Sequence, residues 1–244
     1  MNRVAIEPRM LVWARERADR SVESLRKGFP KLAEWESGAA QPTLRQLEGF
    51  AQAVHVPVGY LFLKQPPEEP VPIPDFRTLA DRPARRPSPD LLDTVYLCQQ
   101  RQDWYRGFAR QGGEEPLAFV GSADVGDDVV RTAAAMREAL GFDVDARRKT
   151  PTWTDALRGF IEQADAIGVL VMVSGVVGSN NHRKLNPEEF RGFALADPLA
   201  PLVFINGADS KAAQMFTLAH ELAHIWLGQT ALSDARAADV PTQT

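Results

Sequence analysis

The chain has 244 residues, 44% of them hydrophobic and 25% charged, with a formal net charge of -4. That is enough apolar material for one large or two modest domains, and the charge balance excludes a protein drawn to nucleic acid by its overall field. The single cysteine, Cys98, excludes an internal disulfide. No stretch is long enough to span a bilayer and the first residues lack the apolar core of a signal peptide, so no membrane partner and a cytoplasmic location are expected.

Residues 1–65 read as short helices joined by tight turns. Pro8 starts a helix through Met10, Leu11, Trp13, Ala14 and Arg17. Ser21 caps a second, holding Val22, Leu25 and Phe29. Pro30 interrupts it, and a third follows over 31–36, stopped at Ser37-Gly38. Pro42-Thr43 opens a fourth through Leu47, Phe50 and Val54, and Val58 to Leu63 forms a last turn. His55, between the two last elements, reads as a capping or partly buried structural residue. The signals Trp35-Glu36-Ser37-Gly38, Pro42-Thr43-Leu44, Leu47 and Leu61-Phe62 resemble the phage-repressor-like helix-turn-helix domains of the XRE family. The resemblance implies DNA binding through a helix in the major groove. Arg15, Arg17, Arg20, Arg26, Lys27 and Lys31 would then meet phosphates. The chain departs from the pattern between Leu25 and Trp35, where it is several residues short of a usual turn and recognition helix.

Residues 66–90 are proline-dense and read as an extended, semi-rigid strap with Phe76 as an anchor. Beyond it, Ser88-Pro89 opens a long helix that ends at Gly112-Gly113. Cys98 lies within that helix, far in sequence from any histidine, and reads as a core thiol. Asp127 or Asp128 starts a helix to Leu140, and another runs from Thr154 to Ala166. Three strands follow, over 168–173, 190–195 and 201–206, with a glycine-rich loop at 175–182. The order suggests an α+β arrangement with a small antiparallel or mixed sheet packed against helices.

The next stretch holds the chemistry. Asp209 or Ser210 can cap a helix through Met215, Phe216, Leu218, Leu222, Ile225 and Trp226, closed by Gly228. His220 and His224 are four apart, so both imidazoles fall on one helix face. Two neutral imidazoles suit Zn2+, and Glu221 stands at the general-base position of His-Glu-x-x-His. Zinc lowers the pKa of a bound water, and a carboxylate nearby can take the proton. His182, after Asn180-Asn181, is read three ways: a catalytic group that steadies the tetrahedral intermediate, a third ligand, or a surface loop residue.

The 190–195 and 201–206 strands and Phe216-Thr-Leu-Ala-His-Glu-Leu-Ala-His-Ile resemble the ImmA/IrrE family of zinc metallopeptidases, from about Pro74 onward. The resemblance implies a zincin-like domain, with His220 and His224 as zinc ligands and Glu221 as base. It also implies a protein substrate, a repressor of the XRE type, whose cleavage releases stress or mobile-element genes. The expected organisation is a helix-turn-helix-like domain over 1–65, a linker over 66–90 and a metallopeptidase domain over 91–244. An edge strand, 190–195 or 202–205, is expected to hold extended substrate by backbone pairing.

The family draws its third ligand from a glutamate on a later helix, in a Glu-x-x-Ala-x-x-Phe-Ala context. After Gly228 this sequence has no glutamate and no histidine, and Asp234 and Asp239 are the acidic residues left. The expectation is a chain cut before that helix, with low zinc occupancy, a Leu232 to Thr244 that is poorly ordered or packed differently from its place in an intact parent, and a surface at Trp226 and Leu227 open to self-association. Two further functions stand beside the peptidase: a DNA-binding transcription regulator, and a non-catalytic protein-interaction fragment.

Overall fold

A computed structural model describes residues 3–75 and 86–232, the side chain of Ala146 excepted. It divides into two compact units, one made of Met1–Pro70 with Arg85–Leu92 and one of Val71–Ala84 with Asp93–Thr244. Among the described residues, no helix is long and apolar enough to cross a membrane.

The first unit is helical: α1 (Pro8–Arg17), α2 (Val22–Leu25), α3 (Leu32–Glu36), α4 (Leu44–Ala53) and a 3-10 turn over Val58–Phe62. Local signals set the ends. Ser21 Oγ accepts from Ser24 N–H, and Thr43 with Gln46 forms a reciprocal capping box. Met10, Leu11, Leu32, Trp35, Leu47, Phe50 and Leu61 form its core. The expected helix through Phe29 stops at Leu25, because Pro30 disfavours a helical backbone at the residue before it. Phe29 reaches the core anyway, edge-on to Phe50 with centroids 5.6 Å apart. His55 has a φ of 53°, and its carbonyl accepts from Arg17 Nη1 at 3.0 Å, so it is the structural residue expected.

The second unit carries α5 (Pro89–Gly112) from Asp93 onward, α6 (Val129–Ala139), α7 (Val144–Lys149), α8 (Trp153–Ala166), β1 (Leu170–Ser174), β2 (Gly192–Leu195), β3 (Leu202–Asn206), α9 (Lys211–Trp226) and β4 (Ala231–Leu232). The strands lie in the order β1-β3-β2-β4, with β1 parallel to β3 and the other pairs antiparallel. The sheet is therefore mixed. Ala194, Val203 and Ile205 on one face pack with Leu157 and Phe160 of α8 and Leu218, Leu222 and Ile225 of α9. Each such buried aliphatic side chain contributes about 1.5–3 kcal/mol. On the other face Gln102 of α5 donates to Leu195 O and Ala200 O, at 2.9 and 2.8 Å. Phe193 stacks on Phe204 on that face, centroids 5.1 Å apart.

This order corrects one expectation. Both strands expected to offer a free edge are interior: β3 lies between β1 and β2, and β2 between β3 and β4. The reason is β4, which has only two residues and so no readable alternation. It pairs Leu232 with Phe193 and Ala231 with Ala194. Leu232 N–H also donates to Pro74 O at 3.0 Å, which joins residues 74–75 to the same edge. Leu232 is thus buried in the sheet, against the expectation of poor order there. Residues 233–244 lie outside the described residues, as does Phe76.

Candidate metal centre

The turn between β3 and α9 is fixed by polar residues within the fold. Asn206 is fully buried, donates from Nδ2 to Phe190 O and accepts from Ala208 N–H. Gln214, also fully buried, donates to Gly207 O at 3.1 Å and Asp209 O at 2.6 Å. Ser210, the N-cap, accepts from Ala213 N–H, while Asp209 instead faces Arg191 at 3.3 Å. These bonds hold the helix start against the sheet. At its other end Gly121 and Ala123 N–H groups donate to the Ile225 and Trp226 carbonyls, which satisfies two acceptors a helix leaves open. Phe119 stacks on Trp226 with centroids 4.5 Å apart.

The buried positions of α9 are Gln214, Thr217, Leu218, Glu221, Leu222, Ile225 and Trp226, a stripe at helical spacing. Glu221 sits in the middle of that stripe at 0% exposure. It fits because β2 begins with glycine. A Cβ at Gly192 would lie 2.5 Å from Thr217 Cγ2, 2.7 Å from Phe204 O and 3.3 Å from Glu221 Cγ. The missing side chain is the space that the Glu221 stem and Thr217 use.

His220 and His224 are half-buried on the helix flank opposite Met215, Leu222 and Trp226, the flank shared with α8. Because α8 covers β1 and α9 covers β2 and β3, the histidines lie on the β2–β4 side of the sheet. Their Nε2 atoms are 3.3 Å apart and their rings nearly perpendicular, at 82°. Phe216 stacks on His220 from the preceding turn. Burial lowers the pKa of His220. His224 falls to about 4, first through burial and then through His220, against a hydrogen bond to Gln229. Both imidazoles are therefore neutral at pH 7, the form that binds a metal.

The helix thus gathers His220, Glu221 and His224. It does not gather the rest. His182 is exposed in a turn, its N–H bonded to Asn180 Oδ1, and no hydrogen bond, ion pair or ring contact joins it to α9. Among the described residues no group of three or more His, Cys, Asp or Glu is placed to hold a metal. Asp234 and Asp239 lie outside them. Gly192, Thr217 and Gln214 are the site's supports that the sequence reading missed. A lone glycine at the head of a strand is the signal for Gly192, since it marks a close approach of another element.

Four of the six cations expected to face DNA are already paired with carboxylates, Arg26 with Glu23 at 3.5 Å and Lys31 with Glu34 at 3.9 Å among them. Arg15 Nε meets Glu36 Oε1 at 2.7 Å, and Arg17 is paired with Glu69. Arg20, Arg26, Lys27 and Lys31 are exposed.

A buried helix with the His-Glu-x-x-His arrangement, laid on a small mixed sheet, is the arrangement the motif leads one to expect of a metallopeptidase. Residues 164–243 match the peptidase family described as the IrrE N-terminal-like domain, so this segment is a metallopeptidase domain of the ImmA/IrrE family. Neither the curated proteins nor the solved structures yield a match.

Proposed function

We propose that the chain is a zinc-dependent endopeptidase acting on a regulatory protein, with His220 and His224 as metal ligands and Glu221 as the proton carrier. One observation carries this reading: the 3.3 Å between the two Nε2 atoms. Two ligands of a tetrahedral zinc with Zn–N bonds of 2.0–2.1 Å stand about 3.3 Å apart. The spacing of the two Nε2 atoms therefore matches that of two ligands on one ion. Among the described residues no third protein ligand stands beside them, and Asp234 and Asp239 are the weak acidic candidates left in this sequence.

Zinc, when bound, supplies an acidified water and polarises the scissile carbonyl. The protein's own part is proton handling and orientation. Glu221 accepts the water proton as the oxygen attacks the carbonyl carbon, then returns it to the amine nitrogen as the C–N bond breaks. Its side chain is fully buried, in the space that Gly192 leaves beside its stem. The substrate class is the one the family resemblance implies, a helix-turn-helix repressor.

The test is cleavage of such a repressor by the zinc-loaded full chain, wild type against Glu221→Gln. Loss of general-base catalysis lowers the rate by about 10²–10⁴-fold. Normal cleavage by the substituted chain would remove Glu221 from the mechanism.

A further inference from the structure

Arg191 is the residue before β2, and Asp209 the residue before the Ser210 cap of α9. Arg191 Nε stands 3.3 Å from Asp209 Oδ2. Both atoms are closed to solvent, and among the described residues neither has a hydrogen-bond partner. Each charged atom therefore answers the other. Salt screens a contact that excludes water much less than a surface pair, and removing either charge leaves the other uncompensated.

The pair closes a circuit of contacts around the turn between β3 and α9. Asn206 N–H donates to Arg191 O at 2.8 Å, and Asn206 O accepts from Asp209 N–H at 3.3 Å. Asp209 Oδ1 accepts from Ser210 N–H at 2.7 Å, and the Asp209 carbonyl accepts from Gln214 Nε2. The backbone bonds tie β2 to β3 and β3 to the turn. The side-chain pair ties the head of β2 directly to the start of α9. The residue after Arg191 is Gly192, where a Cβ would lie 3.3 Å from Glu221 Cγ. Strand and helix thus have no slack at the point where the Glu221 stem passes. Among the described residues, no hydrogen bond, ion pair or ring contact joins Arg191 or Asp209 to His220 or His224.

We infer that Arg191 and Asp209 are positioning residues for Glu221. The pair clamps the head of β2 to the start of α9 and so fixes the carboxylate while it carries the proton. It acts through Gly192 and the helix, not on the reacting atoms. The task given to Glu221 rests on the peptidase reading; the clamp itself does not.

The zinc-loaded full chain is assayed on a helix-turn-helix repressor, with rates normalised to bound zinc. The variants are Arg191→Met, Asp209→Asn, the two combined, and Arg191→Lys. A misplaced proton carrier slows the chemical step without weakening substrate binding. Each single variant therefore loses about tenfold or more in kcat, while KM and zinc affinity stay as in wild type. The double variant loses no more than the worse single, because both remove the same contact. Arg191→Lys keeps the charge and recovers kcat. In the metal-free chain, amide hydrogen exchange at Asn206 and Ala213 quickens about tenfold in each single variant and is restored in Arg191→Lys. Wild-type kcat in the single variants, or losses that multiply in the double, would overturn the inference. So would a raised KM at unchanged kcat, which would assign Arg191 to substrate binding. If the wild-type chain cleaves nothing, the peptidase reading fails and exchange alone decides the clamp. Unchanged protection at Asn206 and Ala213 would then overturn it.

Discussion

Gly192 decides whether Glu221 can sit where it does. A Cβ added there would run into Thr217, Phe204 O and the Glu221 stem. A methyl group there has no flexible tip to displace, because one of its contacts is backbone. Gly192→Ala should destabilise the chain by about 1–3 kcal/mol, as overpacking does, and lower cleavage as well by moving Glu221. Urea unfolding and a cleavage assay check the two effects; an unchanged midpoint would mean that α9 shifts freely on the sheet.

His224 gives the same site a pH signature. Its pKa in the folded chain is about 4, below the ordinary 6.5, first because the ring is buried. Between those values the unfolded chain binds a proton that the native chain does not. Stability therefore rises with pH across this window. The contribution is fully present above about 6.5 and is lost as pH falls toward about 4. Urea midpoints of the metal-free chain should show this fall, and His224→Gln should flatten it. An identical slope in the variant would place the titration elsewhere.

At the scale of elements, the end of α9 is set by two glycines. Gly228 has a φ of 65°, and a Cβ there would come 3.0 Å from the Gly121 Cα. Gly121, itself at a φ of 71°, donates its N–H to Ile225 O. Gly228→Ala should cost about 1–3 kcal/mol through backbone strain and should loosen the 117–123 segment that caps the helix. Hydrogen exchange at Gly121 and Ala123 reads that loosening directly, and unchanged protection would contradict it.

The same elements show what a sequence can reveal. α9 was legible because its apolar stripe, its Ser210 cap and its Gly228 stop all agree. α5, α8 and the three longer strands were legible for similar reasons of period and punctuation. α7 was not, because Val144–Lys149 has almost no apolar face and is held by Asp143, whose Oδ1 accepts from Asp145 N–H. β4 was not, because two residues carry no period. Strand order was illegible too, since β1 reaches β3 past β2 through tertiary contacts that no local pattern encodes. At the site, the His220, Glu221 and His224 triplet was plain from spacing. Its support by Gln214, Thr217 and Gly192 depends on which strand lies beneath the helix.

At the scale of the whole molecule, the second unit presents two unlike sheet edges. One, at β4, is joined by residues 74–75 and lies on the histidine side. The other, at β1, has no strand paired with its outer side among the described residues. The central claim is the metal centre itself, and zinc titration of the full chain by calorimetry tests it most directly. The account predicts one zinc per chain, with binding lost in His220→Ala and in His224→Ala while far-ultraviolet circular dichroism stays unchanged. Zinc bound equally well by the two variants, or not at all by the wild-type chain, would contradict it.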